Sequence, residues 1–204
     1  MGKGISMIEL DLRTIYYEPE TPILENVRFT INQGEIVALT GASGIGKSTI
    51  LKILAGFHRG YTGNINIQKE SKAAFISQNK CLLPWKNVYQ NIVLIKKVKE
   101  KAVDSKKAME LIESLGLSGL EKKFPLFLSG GQYQRTALGQ AFFYEPDILL
   151  MDEPFSALDA QTKKEVMDIF LKLQKKLGIT VLLVTHSIQE ANYLGGRVIN
   201  LEKG

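Results

Sequence analysis

One cysteine, one tryptophan and two histidines are all that the 204 residues hold of these types. Cys81 has no partner for an internal bridge, which excludes a disulfide-stapled scaffold and points to a reducing compartment. No apolar run approaches the roughly 20 residues needed to cross a bilayer, and the N-terminus lacks the apolar core of a signal peptide. The chain is therefore expected to serve any membrane from outside the lipid. Charge of neither sign dominates. The 26 Lys+Arg and 21 Asp+Glu leave +5 and a pI near 9.1, a mild basic excess compatible with polyanions or an anionic surface. At 45% hydrophobic and 23% charged, the composition excludes a disordered tail or a collagenous repeat. Met1-Gly2-Lys3-Gly4-Ile5-Ser6 fits a myristoylation pattern short enough to arise by chance.

What is present is an alternation of strand and helix signals. Ile8, Leu10 and Leu12 alternate as in a half-buried strand, as do Val27, Phe29 and Ile31 before the turn Asn32-Gln33-Gly34. The runs Ile36–Thr40, Ala74–Ile76, Ile148–Met151 and Val181–Val184 show no alternation, as expected of strands covered on both faces. Two apolar stripes at helical spacing lie between them: Ile50, Ile53, Leu54, Phe57, and Val166, Ile169, Phe170, Leu173, Leu177. The pattern predicts an α/β fold on a mainly parallel sheet. From about Asn79 to Glu145 no strand signal appears, while Ala108, Leu111, Ile112 and Leu115 recur at helical spacing. A helical subdomain over 79–145 is expected, inserted into a core formed by 1–78 and 146–204. Its Lys96–Lys107 stretch holds six lysines against Glu100 and Asp104, either a solvated face or a contact for lipid headgroups or an acidic partner.

Three stretches carry chemistry. Gly41-Ala42-Ser43-Gly44-Ile45-Gly46-Lys47-Ser48-Thr49 fits G-x-x-x-x-G-K-[ST] between a predicted strand and a predicted helix. Glycines let the backbone wrap a phosphate chain with its N–H groups inward, and the helix adds its positive end. Lys47 is expected to reach the β- and γ-phosphates of a nucleotide, and Ser48 to ligate Mg²⁺. Asp152, closing the apolar run from Ile148, suits a second Mg²⁺ carboxylate, and Glu153 suits a base for attacking water. Ser129-Gly130-Gly131-Gln132 offers a second anion-binding helix start, with Ser129 as N-cap. One nucleotide needs one such receptor, so the second implies another subunit.

These elements, with Gln78, Ser156-Ala157-Leu158-Asp159 and His186, stand in the order and spacing of the ATP-binding cassette ATPases, which the chain resembles from Met7 to Lys203. The resemblance implies a RecA-like P-loop NTPase core with a small antiparallel β subdomain and the inserted α-helical subdomain. It implies a homodimer, or a paired cassette, sandwiching two ATP. In it the Gly41–Thr49 loop of one copy faces Ser129, Gly130, Gly131 and Gln132 of the other. Tyr16 matches the aromatic that stacks on adenine, with Tyr17 as the alternative. Gln78 matches the glutamine that touches Mg²⁺ and the attacking water, His186 the histidine on the γ-phosphate, and Asp159 a residue that communicates across the dimer. ATP hydrolysis is the implied activity, with Glu153, His186, Gln78 and Lys47 as its catalytic groups.

Cys81-Leu82-Leu83-Pro84-Trp85-Lys86-Asn87-Val88 resembles importer ATPases for nitrate, sulfonate and taurine. That implies a separate membrane permease, a solute-binding protein, a cytoplasmic position on the inner membrane face, and no nucleic acid. The side chains of this segment suit a groove for a permease helix or ordinary packing. The competing reading is a soluble ATPase of the superfamily uncoupled from transport; it would favour a fused second cassette, a coiled-coil insertion or a zinc motif, none of which is visible. Two departures stand out: Gly139-Gln140 where the family usually has Ala-Arg, and Ser187 where Asp often follows the histidine.

Overall fold

The computed structural model describes residues 5–18, 21–78, 81–101 and 103–202. Met1–Gly4 of the myristoylation-type pattern lie outside the described residues. In chain order the elements are β1 (Ser6–Tyr16), β2 (Pro22–Asn32), β3 (Ile36–Gly41), α1 (Lys47–Leu54), β4 (Tyr61–Ile67) and β5 (Ala73–Ile76). There follow α2 (Val88–Ile92), α3 (Leu94–Glu100), α4 (Ser105–Ser114), a 3-10 turn at Pro125–Phe127, and α5 (Gly130–Phe143). The chain then forms β6 (Ile148–Asp152), α6 (Ala160–Leu177), β7 (Thr180–Val184), α7 (Ile188–Tyr193) and β8 (Arg197–Leu201). They fall into two compact units: residues 1–75, 147–153 and 178–204, and residues 76–146 and 154–177.

The first unit holds a three-stranded sheet, order β2-β1-β4, with antiparallel pairing, and the strands of a five-stranded sheet, order β5-β6-β7-β3-β8. β3 pairs in parallel with β7 and β8, and β6 with β7. β6 and β7 are buried at every residue, as their unbroken apolar runs require. β1 shifts register between Leu12 and Thr14, so its inward side chains pass from Leu12 to Ile15. The shift needs Gly63, at φ +115°, because a Cβ there would lie 2.2 Å from the Asp11 carbonyl oxygen. Ile8, Leu10 and Leu12 share one core with Phe29, Leu39, Leu150, Leu182 and the α1 residues Ile50 and Leu51. Each such fully buried aliphatic side chain contributes roughly 2 kcal/mol, and together they fix α1 and the loop before it.

Phe57 departs from the predicted α1 stripe. The helix stops at Leu54, Gly56 turns left-handed at φ +76°, and Phe57 is 70% exposed, its ring edge-on to Phe75 at 5.6 Å. Leu177, the last residue of α6, is likewise exposed rather than buried.

The second unit is helical. Phe170 of α6 meets Phe142 and Phe155 at ring separations of 6.0 and 6.1 Å. α3 has no buried residue; of the lysine-rich stretch, Lys96 bonds Glu145 at 2.6 Å and lies over the Phe143 ring, while Lys97, Lys99 and Lys101 are exposed. Leu126, Phe127 and Trp85 are exposed.

Candidate functional site

The β3–α1 loop takes conformations only glycine adopts without strain: φ is +140° at Gly41, +77° at Gly44 and +112° at Gly46. A Cβ on Gly41 would also come within 2.6 Å of the Leu201 carbonyl oxygen. Gly46 caps α1 without a side-chain hydrogen bond, and no acidic residue occupies the first turn. In contrast, Asn87, Asp104, Ser129 and Ser187 cap α2, α4, α5 and α7 through their side chains. The N–H groups at the start of α1 are thus left for an anion, reinforced by the helix dipole. Ala42, Ser43 and Gly44 are exposed; Ile45 and Thr49 are buried and anchor the turn.

Lys47 is 6% exposed, and its ammonium donates to the carbonyls of Gly41 at 2.9 Å and Ala42 at 2.8 Å. A buried cation whose described hydrogen bonds go to neutral carbonyl oxygens is a ready partner for phosphate. Ser48 donates its hydroxyl to Asp152 Oδ1 at 2.7 Å. Burial pushes the Asp152 carboxyl up, against the lowering effect of the Ser48 bond, and the neighbouring Glu153 raises it further. A divalent cation would relieve that penalty. One hydroxyl and one carboxylate fit Mg²⁺, which keeps most of its waters and takes further oxygens from substrate phosphates.

Parallel pairing sets Asp152 opposite Val184, so the residues that follow both strands emerge side by side. The Glu153 N–H donates to the Val184 carbonyl at 3.0 Å, and Glu153 Oε2 lies 3.3 Å from His186 Nδ1. Glu153 has φ +46°, a left-handed backbone that costs an L-residue about 1–2 kcal/mol. Ser187, the second departure from the family pattern, accepts the Glu190 N–H at 3.2 Å and so caps α7.

Of the two tyrosines, Tyr16 is half-buried in β1 opposite Pro22, and its carbonyl takes a bond of 2.8 Å from His58 Nε2. Tyr17 is exposed, its hydroxyl 3.3 Å from Thr49 Oγ1 and its ring 4.7 Å from that of His58. His58 was invisible to sequence reading, since nothing local marks it.

The remaining predicted residues lie in the second unit. Gln78 is exposed. Ser129 and Gln132 form a reciprocal capping box: the Gln132 N–H donates to Ser129 Oγ at 3.2 Å and the Ser129 N–H to Gln132 Oε1 at 3.1 Å. The Ser129 hydroxyl keeps its own proton as a donor. A Cβ on Gly131 would sit 2.4 Å from Thr162 Cγ2, so a side chain there would require the Thr162 methyl on α6 to shift. Asp159 Oδ1 accepts the Thr162 N–H at 3.0 Å; that bond holds its carboxyl below the usual range. Among the described residues no group of three or more His, Cys, Asp or Glu could hold a metal.

The model of the ABC transporter family matches residues 24–156. The chain belongs to that family. The aliphatic sulfonates import ATP-binding protein SsuB of Bacillus licheniformis is 44% identical over 88% of this chain and 72% of its own length. SsuB 2 of Pseudomonas syringae pv. tomato is 42% identical over 87% of this chain and 75% of its own. A dimeric structure of the ATP-binding cassette MJ0796, in a post-hydrolysis state bound to ADP and Pi, is 31% identical with a TM-score of 0.79. It covers 96% of this cassette and 94% of that chain. A second dimeric structure of MJ0796 has 32% identity, a TM-score of 0.78 and the same coverage.

Proposed function

We propose that this cassette works as one of two ATP-hydrolysing subunits that drive import of an aliphatic sulfonate or a similar small organic anion through a separate permease. The observation that carries the catalytic part is the Ser48–Asp152 contact of 2.7 Å beside the uncapped α1, with Glu153 and His186 paired at 3.3 Å. The solute class rests on the SsuB relatives. The absence of any described helix long and apolar enough to cross a membrane fits a subunit that borrows its membrane path.

Phosphoryl transfer needs alignment and charge neutralisation more than covalent help. The Gly41–Thr49 amides and Lys47 hold the β- and γ-phosphates, with Lys47 exchanging its carbonyl partners for phosphate oxygens. Ser48 and Asp152, with Gln78, are the residues to hold Mg²⁺, which when bound adds positive charge to the phosphate oxygens. Glu153 accepts the proton of the attacking water, and His186 orients it towards the γ-phosphate. Tyr17 is the better supported platform for adenine, because its exposed ring is braced by His58 and tied to Thr49. In a second copy Ser129, Gly130, Gly131 and Gln132 close over the γ-phosphate, and Asp159 borders that contact. Loss of the γ-phosphate removes the bridge, and the pair opens. A cytoplasmic position on the inner membrane face, and a solute-binding protein upstream, complete the reading.

Phosphate release by the purified chain tests it. Turnover should require Mg²⁺, stop with chelator, and fall at least about 100-fold in Glu153→Gln, the lower range for a general base. Undiminished turnover in that variant removes Glu153 from the mechanism.

A further inference from the structure

Gly139-Gln140 replaces the family's usual Ala-Arg, and the second unit shows what the pair does. A Cβ at residue 139 would lie 2.6 Å from Leu115 Cδ1 and 3.1 Å from two atoms of Ile92. The bare glycine therefore lets α2 lie close against α5. At that spacing Gln140, 8% exposed, reaches the backbone carbonyl of Asn91 with Nε2 at 2.9 Å. That carbonyl sits in the last turn of a five-residue helix, where the Val93 N–H of the cap also faces it. A helix so short has little stability of its own, and the Gln140 donor ties its end to α5.

Asn91 in turn clasps the loop before α2. Its side chain is fully buried; Oδ1 accepts the Leu83 N–H at 2.9 Å, and Nδ2 donates to the carbonyls of Leu83, Lys86 and Asn87 at 3.2, 2.8 and 3.1 Å. The same loop is tied to α5 a second time: the Leu82 N–H donates to Tyr133 Oη at 2.9 Å. Tyr133 and Gln140 lie seven positions apart, about two turns, on one helix of 14 residues. That helix begins at the Ser129–Gln132 capping box, and the loop it carries displays Trp85, 69% exposed.

We infer that Tyr133 and Gln140 are positioning residues that bind the Leu82–Asn87 loop to α5, so that loop and helix start move as one body. The inference rests on the proposed role of Ser129–Gln132 in meeting nucleotide held by a second copy. Such a tie carries a movement of the Ser129–Gln132 helix start to the Leu82–Asn87 loop, which itself holds none of the groups assigned to nucleotide.

Trp85 is the sole tryptophan, so its fluorescence reads this loop alone. In the hydrolysis-blocked Glu153→Gln background, excess MgATP should change acrylamide quenching of Trp85 as the dimer forms. Tyr133→Phe and Gln140→Met, alone and combined, should keep ATP-dependent dimerisation and reduce that change, the double variant by half or more. Amide exchange at Leu83 should rise about fivefold in Gln140→Met, one neutral hydrogen bond's worth. Tyr133→Phe removes a single oxygen and keeps the test open should Gln140→Met fold poorly. Dimerisation without a Trp85 response, or a response unaltered in the variants, overturns the inference and leaves the ATPase reading intact. Absence of any dimer strikes that reading itself.

Discussion

Replacing Glu153 by glycine and, separately, by alanine distinguishes the cost of its backbone from the value of its carboxylate. Glu153 sits at φ +46°, a conformation that penalises any side chain with a Cβ by about 1–2 kcal/mol. Glycine escapes the penalty but gives back about 0.5–1 kcal/mol through its greater freedom when unfolded. Both variants lose the His186 contact and the same side-chain packing, so those losses cancel in the comparison. The glycine variant should be the more stable by about 0.5–1 kcal/mol, roughly a 2 °C higher melting point for a chain of this size. At an ordinary strand end the order would be reversed. Thermal unfolding without nucleotide measures the difference, and phosphate release confirms that both variants lose turnover at least about 100-fold. An alanine variant melting at or above the glycine variant refutes the argument that strain is stored at Glu153.

Two further outcomes follow from packing and charge. Gly139→Ala gains about 1 kcal/mol of helix propensity but forces a methyl onto Leu115 and Ile92, both fully buried, at a cost of about 1–3 kcal/mol; chemical denaturation should show net destabilisation, and a more stable variant contradicts the packing. Burial raises the Glu35 carboxyl, yet the Arg197 guanidinium at 2.6 Å and the Asn32 N–H outweigh it and hold the group below its ordinary 4.5. A depressed carboxylate stabilises above its unfolded value and loses that contribution as pH falls through the folded one. Arg197→Met should therefore lower stability at pH 7 by about 0.5 kcal/mol, the pair being partly exposed, and the gap to the parent should close as pH falls below 4.5 and through the depressed folded value.

Much of the first unit was legible because its strands obey burial. β1 and β2 alternate, β6 and β7 do not, and the phosphate loop lies between a strand and a helix that both announce themselves. β4 and β8 escaped notice because each is an edge strand with mostly exposed side chains, which leaves no sharp pattern to read. Phe57 misled because an aromatic at helical spacing looks like core, whereas the left-handed Gly56 had already ended α1. The association of α6 with the inserted helices depends on Phe142, Phe155 and Phe170, residues distant in sequence that only folding brings together. The proposal of Tyr17 in place of Tyr16 as the adenine platform draws on the β1 register and on His58, neither of which counting along the chain reveals. The role of Gln140 was equally hidden, since its acceptor is a backbone carbonyl 49 residues away.

The molar mass of Glu153→Gln in solution, measured with and without saturating MgATP, bears most directly on the central claim. Two copies that jointly enclose nucleotide predict a monomer in the absence of ATP and a dimer holding two ATP in its presence. A species that stays monomeric while ATP is demonstrably bound contradicts it.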